Sequence, residues 1–165
     1  MTATAAYWTP GEGLAVMKIA VMGAGGVGGY FGARLAAAGE EVAFIARGAH
    51  LEAMRERGLR IASVLGDMHL DPVPVSDDAV DIGPVDVVLV AVKLWDLEAA
   101  GRACKPLIGA GTAVLPVQNG VESAPVLAGL LGAEHVIGGV GQIAAVIAEP
   151  GVIRHTGRMA RLVFG

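Results

Sequence analysis

From Met17 onward the chain alternates short apolar runs with longer segments of helical period. Lys18–Met22 (KIAVM) is an apolar run ending at Gly23, the pattern of a buried strand. Residues 27–38 follow with helical spacing and close at Gly39, a residue type favoured just past helix ends. Residues 42–46 (VAFIA) predict a second strand and residues 50–57 a second helix, with Gly58 after it. Residues 59–75 predict one or two short strands about the turn Gly66-Asp67, and Pro72 and Pro74 force an edge or a loop. Residues 85–92 (VDVVLVAV) form the most apolar strand, and residues 94–107 predict a helix. A strand over 112–117, a helix over 121–131 and a strand over 136–140 continue the alternation. From 143 to 164, β-branched pairs split by Pro150-Gly151 and Gly157 predict short antiparallel strands. Residues 1–16, punctuated by Pro10, Gly11 and Gly13, read as a loose extension, which leaves 17–165 as one domain.

This order predicts an α/β protein, with a doubly wound, mostly parallel sheet and helices on both faces. Composition agrees. The chain is 54% hydrophobic with only 4% aromatics, so its apolar mass is short aliphatics suited to strands buried on both faces. The net charge is -4 and the only lysines are Lys18, Lys93 and Lys105, so no basic block points to nucleic acid or an anionic membrane. The amino terminus has neither the basic region nor the unbroken apolar core of a signal peptide, and no apolar run is long enough to span a bilayer. The single cysteine, Cys104, excludes an internal disulfide and reads as a small buried hydrophobe; a reduced, cytoplasmic setting fits.

Chemistry enters at the turn Gly23-Ala24-Gly25-Gly26-Val27-Gly28. A G-x-G-x-x-G string means little in a chain with 25 glycines. Its context is stronger, because it leaves one apolar strand and opens one helix, as dinucleotide binding requires. Gly23 permits the tight turn, Gly25 lets a pyrophosphate approach the backbone, and Gly28 lets helix and strand pack closely. The helix amino end then offers free N–H groups and partial positive charge to the phosphates. Gly29 and Gly32 weaken the helix, and close packing against the strands is a reason to keep them.

A dinucleotide site that prefers NAD carries Asp or Glu at the end of the second strand. Here that strand runs into Arg47-Gly48, and Glu40 and Glu41 precede it at the wrong end. An arginine fork suits a 2′-phosphate, so the expected cofactor is NADP(H). Lys93 and Asn119 follow two further strands and so fall at the carboxyl edge where ligands bind. Lys93 offers a cationic donor to a ribose or phosphate oxygen. Asn119 can donate and accept, although Asn-Gly is also a common turn pair. His50, His69, His135 and His155 show no metal-ligand spacing and are expected to be structural or surface residues.

The stretches MKIAVMGAGGVGGYFGARLAAAGEEVAFIARGAHLEAMRERGLRI, VDVVLVAVKLWDLEAA, VLPVQNGVES and IAEPGVIRHTG together resemble the ketopantoate reductase (2-dehydropantoate 2-reductase) family, over nearly all of residues 17–165. That resemblance implies NADPH-dependent reduction of 2-dehydropantoate, a small 2-keto acid, to (R)-pantoate on the way to pantothenate and coenzyme A. It implies that Gly23, Ala24, Gly25, Gly26, Val27 and Gly28 hold the pyrophosphate and Arg47 the 2′-phosphate. Lys93 and Asn119 would serve cofactor and substrate, and Ala145 would lend a backbone contact. Family members continue into a helical C-terminal domain that carries the lysine protonating the nascent alkoxide. No lysine lies beyond Lys105 here, so the expectation is an NADP-binding half with no catalytic residue of its own, completed by that domain or a partner chain. A stand-alone NADP(H)-binding regulatory module is the alternative. A complete short-chain-type dehydrogenase would need Tyr-x-x-x-Lys, but Tyr7 and Tyr30 are followed at that spacing by Gly11 and Arg34.

Overall fold

The structure, a computed structural model, describes residues 15–165, so most of the expected extension lies outside the described residues. Five strands form a wholly parallel sheet: β1 (Lys18–Met22), β2 (Glu41–Ile45), β5 (Val75–Ser76), β6 (Val87–Val90) and β7 (Ala113–Pro116). Their spatial order is β5-β2-β1-β6-β7. The chain thus winds outward from β1 first to one side and then to the other, and the order reverses between β1 and β6. Register aligns the strand ends: Met22 lies beside Ile45 and Val90, and Val90 lies beside Pro116. Every loop that leaves a carboxyl end therefore starts from one edge.

The helices are α1 (Gly26–Ala37), α2 (Gly48–Arg57), α3 (Leu97–Ala103) and α4 (Ser123–Leu131). On one face of the sheet Ala20, Met22, Val88 and Val90 pack against Leu97 and Ala100 of α3 and Leu127 of α4. Cys104 is fully buried in that cluster, and burial pushes its thiol up to about 12. The expected helix over 94–107 is broken into a 3-10 turn at Leu94–Asp96, then α3, then a second 3-10 turn at Lys105–Leu107. Pro106 supplies no amide N–H and ends the α-helical ladder there.

The other face carries more than helices. A second sheet, in the order β4-β3-β9-β8, is built from β3 (Leu59–Ser63), β4 (Met68–Leu70), β8 (Gly139–Glu149) and β9 (Val152–Phe164). β3 pairs parallel to β9, and the other two pairings are antiparallel. The tail is thus one long hairpin of 11 and 13 residues rather than short strands: Pro150-Gly151 makes its turn, and Gly157 falls in a register shift whose extra residues lie on β9. The strand expected over 136–140 shrinks to a single bridge, Val114 to Val136, before the chain leaves for the second sheet. It departs at Gly138-Gly139, and a side chain at Gly139 would collide with Leu115 and the Pro116 carbonyl.

Helix α1 lies between the two sheets. A Cβ at Gly32 would stand 2.5 Å from Phe44 and 2.8 Å from Val21, both in the parallel sheet, and one at Gly29 would stand 3.0 Å from Ile153 of β9. Phe31, Phe44, Leu59, Ile61 and Ile153 join Leu51 and Met54 of α2 in the core between the layers. His155 is also buried there: Ser63 Oγ–H donates to its Nδ1 at 2.8 Å and its Nε2–H donates to the Met159 carbonyl at 3.1 Å. Outward-pointing Val140 and Val146 of β8 and Met159, Val163 and Phe164 of β9 are exposed.

Two alanine substitutions should therefore move stability in opposite directions. Gly32→Ala overpacks a site bounded by an aromatic ring and should cost about 1–3 kcal/mol despite the better helix former. Gly129→Ala on α4, with open space where the methyl would go, should gain about 0.5–1 kcal/mol. Urea denaturation of both variants beside the parent protein measures the pair.

Candidate functional site

The aligned strand ends open into a cleft of about 610 Å³. Its floor is the turn between β1 and α1. Gly23 has φ +99, a conformation that side chains resist, and its amide and that of Ala24 both donate to the Ile45 carbonyl, at 3.2 and 3.0 Å. The turn is thereby anchored to the end of β2. Gly25 caps α1 with no side-chain bond, and no acidic residue occupies the first turn, so the partial positive charge of the helix end is uncompensated. Nothing stands within 4 Å of the place a Gly25 side chain would fill. A Cβ on Gly28 would collide with the Gly23 carbonyl and lie 2.9 Å from Val21.

Gly26 has a different task from its neighbours. A side chain there would strike the carbonyl of Ala145. Strand β8 runs directly over the first turn of α1, and Gly141, Ile143, Ala145 and Ile147 form one wall of the cleft. The register against β9 shifts between Ile143 and Ala145, with the extra residues on β9.

The remaining expected residues converge on the same space. Arg47 stands at the end of β2 as the N-cap of α2, exposed and without an ion pair among the described residues. Lys93 follows β6 and is likewise exposed. Asn119 is exposed beside Gly120, whose φ is +94, so it lines the cleft and forms part of a turn at once. Gly23, Ala24, Gly25, Gly26, Val27, Arg47, Lys93, Asn119 and Ala145 all line one cleft, whereas Gly28 lies behind it, packed on the Gly23 carbonyl and Val21. The charged side chains on it are Arg47, Lys93 and Asp96, a surplus of one positive charge. Among the described residues no group of three His, Cys, Asp or Glu side chains is placed to hold a metal. No helix among them is long and apolar enough to cross a membrane.

Three residues of the cleft escaped sequence reasoning. Gln118 donates from Nε2 to the carbonyls of Val90 and Val92, at 2.9 and 3.0 Å, and so fastens the end of β6 to β7. Its Oε1 is buried without a partner. Trp95 is 82% exposed at the mouth. His50 reaches back from α2 to the glycine turn. Adjacency to Asn119 was a signal for Gln118, and the three-residue step from Arg47 around the first turn of α2 was one for His50.

The family model described as ketopantoate reductase PanE/ApbA matches residues 19–165. The chain belongs to this family. It is 35% identical over 160 residues to the 2-dehydropantoate 2-reductase of Mesorhizobium japonicum, covering 84% of this chain and 49% of that protein. Among solved structures, the 2-dehydropantoate 2-reductase of Geobacter metallireducens matches with a TM-score of 0.85 and 38% identity, covering 90% of this chain and 49% of that one. D-mandelate dehydrogenase, solved with NADH and anilino(oxo)acetate, matches with a TM-score of 0.78 and 26% identity over 86% of this chain and 46% of that one. The chain spans about half the length of the relatives it matches.

The Gln118 clamp should make a measurable contribution to stability. Gln118→Leu leaves the Val92 carbonyl without its donor at the cleft rim and should cost about 1–3 kcal/mol. Thermal denaturation should show the melting point lowered by roughly 2–10 °C for a domain of this size. An unchanged melting point would mean that water replaces the amide without loss.

Proposed function

We propose that residues 17–165 are the nucleotide-binding domain of a 2-dehydropantoate 2-reductase, that residues 1–16 are an extension to it, and that its cofactor is NADP(H). The observation that carries this reading is the open space over Gly25 at an uncapped helix end, with Arg47 at the end of β2 on the same cleft. A pyrophosphate needs backbone amides without side chains in front of them, and the first turn of α1 meets that need. A 2′-phosphate needs a fork of donors where an NAD site has a carboxylate, and Arg47 meets that one. D-mandelate dehydrogenase with NADH is a structural relative, so the choice between the two dinucleotides rests on Arg47 and not on the fold.

When bound, the nicotinamide supplies a hydride to the carbonyl carbon of a 2-keto acid. This chain's residues perform the holding. The amides from Gly25 to Gly28 bind the diphosphate. Lys93 donates to ribose or phosphate oxygen. Asn119, able to donate and accept, orients the carboxamide or a substrate hydroxyl. Lys93 and Asn119 would also meet the substrate, and β8 excludes water from the side of Ala145. The alkoxide needs a proton, and we assign its donor to the half of the relatives that this chain does not span.

Parallel calorimetric titrations with NADPH and NADH test the reading. The parent chain should bind NADPH more tightly. Arg47→Ala should weaken NADPH by roughly tenfold to a hundredfold, the worth of charge-assisted bonds, and leave NADH nearly unchanged. Equal losses for both dinucleotides would remove the NADP(H) assignment. Gly25→Val should keep the parent's melting point within a few degrees, since its side chain meets open space, and abolish binding of both dinucleotides. Retained binding would show that nothing approaches the turn.

A further inference from the structure

His50 touches two backbone segments, at Ala24 and at Gly151, that are 127 residues apart in the chain. Its Nε2 lies 2.8 Å from the carbonyl of Ala24, between the first two glycines of the turn. The amide of Gly151, in the turn between β8 and β9, donates to its Nδ1 at 3.0 Å. A carbonyl can only accept and an amide N–H can only donate, so the ring is fixed as the neutral tautomer with its proton on Nε2. Strand β8 leads from that hairpin turn back to Ala145, which rests on Gly26. The histidine thus closes a circuit that runs from Ala24 through its ring to Gly151 and along β8 to the first turn of α1.

We propose that His50 is a positioning residue that locks the glycine turn to the second sheet, and that loss of its neutral form loosens the turn and weakens dinucleotide binding. This inference rests on the reading that the cleft takes a dinucleotide. Protonating Nδ1 would set one N–H against another and break the link to Gly151. Burial holds the ring's pKa below the usual 6.5, and the bond to Ala24 opposes that only in part. The sign follows from this lowering. The brace is complete above pH 6.5, and it is lost as the pH falls through the lower value of the folded chain. The charged groups that line the cleft with it are Arg47, Lys93 and Asp96, and those that line the pocket at Gly151 are Arg57, Arg60 and Glu149; the glycine turn carries none. A bound diphosphate would draw a proton toward the ring. Both ring nitrogens face backbone, however, so a second proton must displace the Gly151 amide whatever the ligand.

The test compares the parent chain with His50→Gln and His50→Ala. Glutamine offers one donor and one acceptor and does not titrate, so it should restore the brace. Affinity for acid-stable NADP+ and NAD+ is measured from about pH 5 to about pH 8, where histidine changes charge. The cofactor's own 2′-phosphate titrates alike against all three proteins and cancels from their ratios. His50→Ala should weaken both dinucleotides roughly five- to tenfold at neutral pH, the worth of one or two hydrogen bonds, unlike Arg47→Ala, which should strike only NADP+. The parent should lose affinity relative to His50→Gln as the solution is acidified. Amide exchange at Gly151, read without any cofactor, should be slow in the parent and in His50→Gln and fast in His50→Ala. Parental affinity in His50→Ala, or one shared pH profile for the parent and His50→Gln, would overturn the proposal. If no protein binds either dinucleotide while Gly151 stays protected, the cofactor reading falls and takes the coupling with it, leaving a brace of purely structural worth.

Discussion

The structure depends on how close a backbone can come to the first two turns of one helix. Six side chains are missing from Gly23 to Gly32, and their absence serves two sheets as well as one turn. Gly28 and Gly32 admit the parallel sheet on one flank of α1, and Gly26 and Gly29 admit β8 and β9 on the other. Protein interiors are packed nearly to crystal density, so a methyl group at any of these positions has to displace a neighbour. The price in helix propensity, about 1 kcal/mol per glycine, is met by the burial that close approach allows.

That arrangement also decides where chemistry can happen. A doubly wound sheet leaves its crevice beyond the strand ends, open toward solvent on the side away from the helices. Here the second sheet reaches that crevice and walls it with alternate residues of β8. The glycine turn is held from three directions: by the Ile45 carbonyl, by the ring of His50 and by the close passage of Ala145. A site assembled on anchored strand ends loses little order when a ligand arrives, which is what preorganised binding requires.

Much of this was legible in the order of residues. The short aliphatic runs marked β1, β2, β6 and β7, because strands buried on both faces carry no alternation to mislead. The strand–turn–helix context of the glycines and the positions of Arg47, Lys93 and Asn119 after strand ends placed them on one cleft. What the pattern hid was partnership. Nothing local distinguishes the β8–β9 hairpin from a set of short strands, since its bulges break the period that two continuous ladders restore only when paired. Nor does sequence show that Gly29 faces Ile153, or that His50 reaches Ala24, because both depend on contacts across more than twenty residues. The parallel pairing of β3 with β9 joins segments about ninety residues apart, and no short-range signal announces it.

The burial of Cys104 has a practical corollary. Thiol reagents and oxidants attack the thiolate, and a thiol held at about 12 inside the layer beneath α3 presents almost none of it at neutral pH. Because this is the only cysteine in these 165 residues, the folded chain should react only slowly with maleimides and in disulfide exchange. A cysteine introduced at the cleft rim would be its one reactive sulfur, so a fluorophore or spin label could be seated there without first stripping the background.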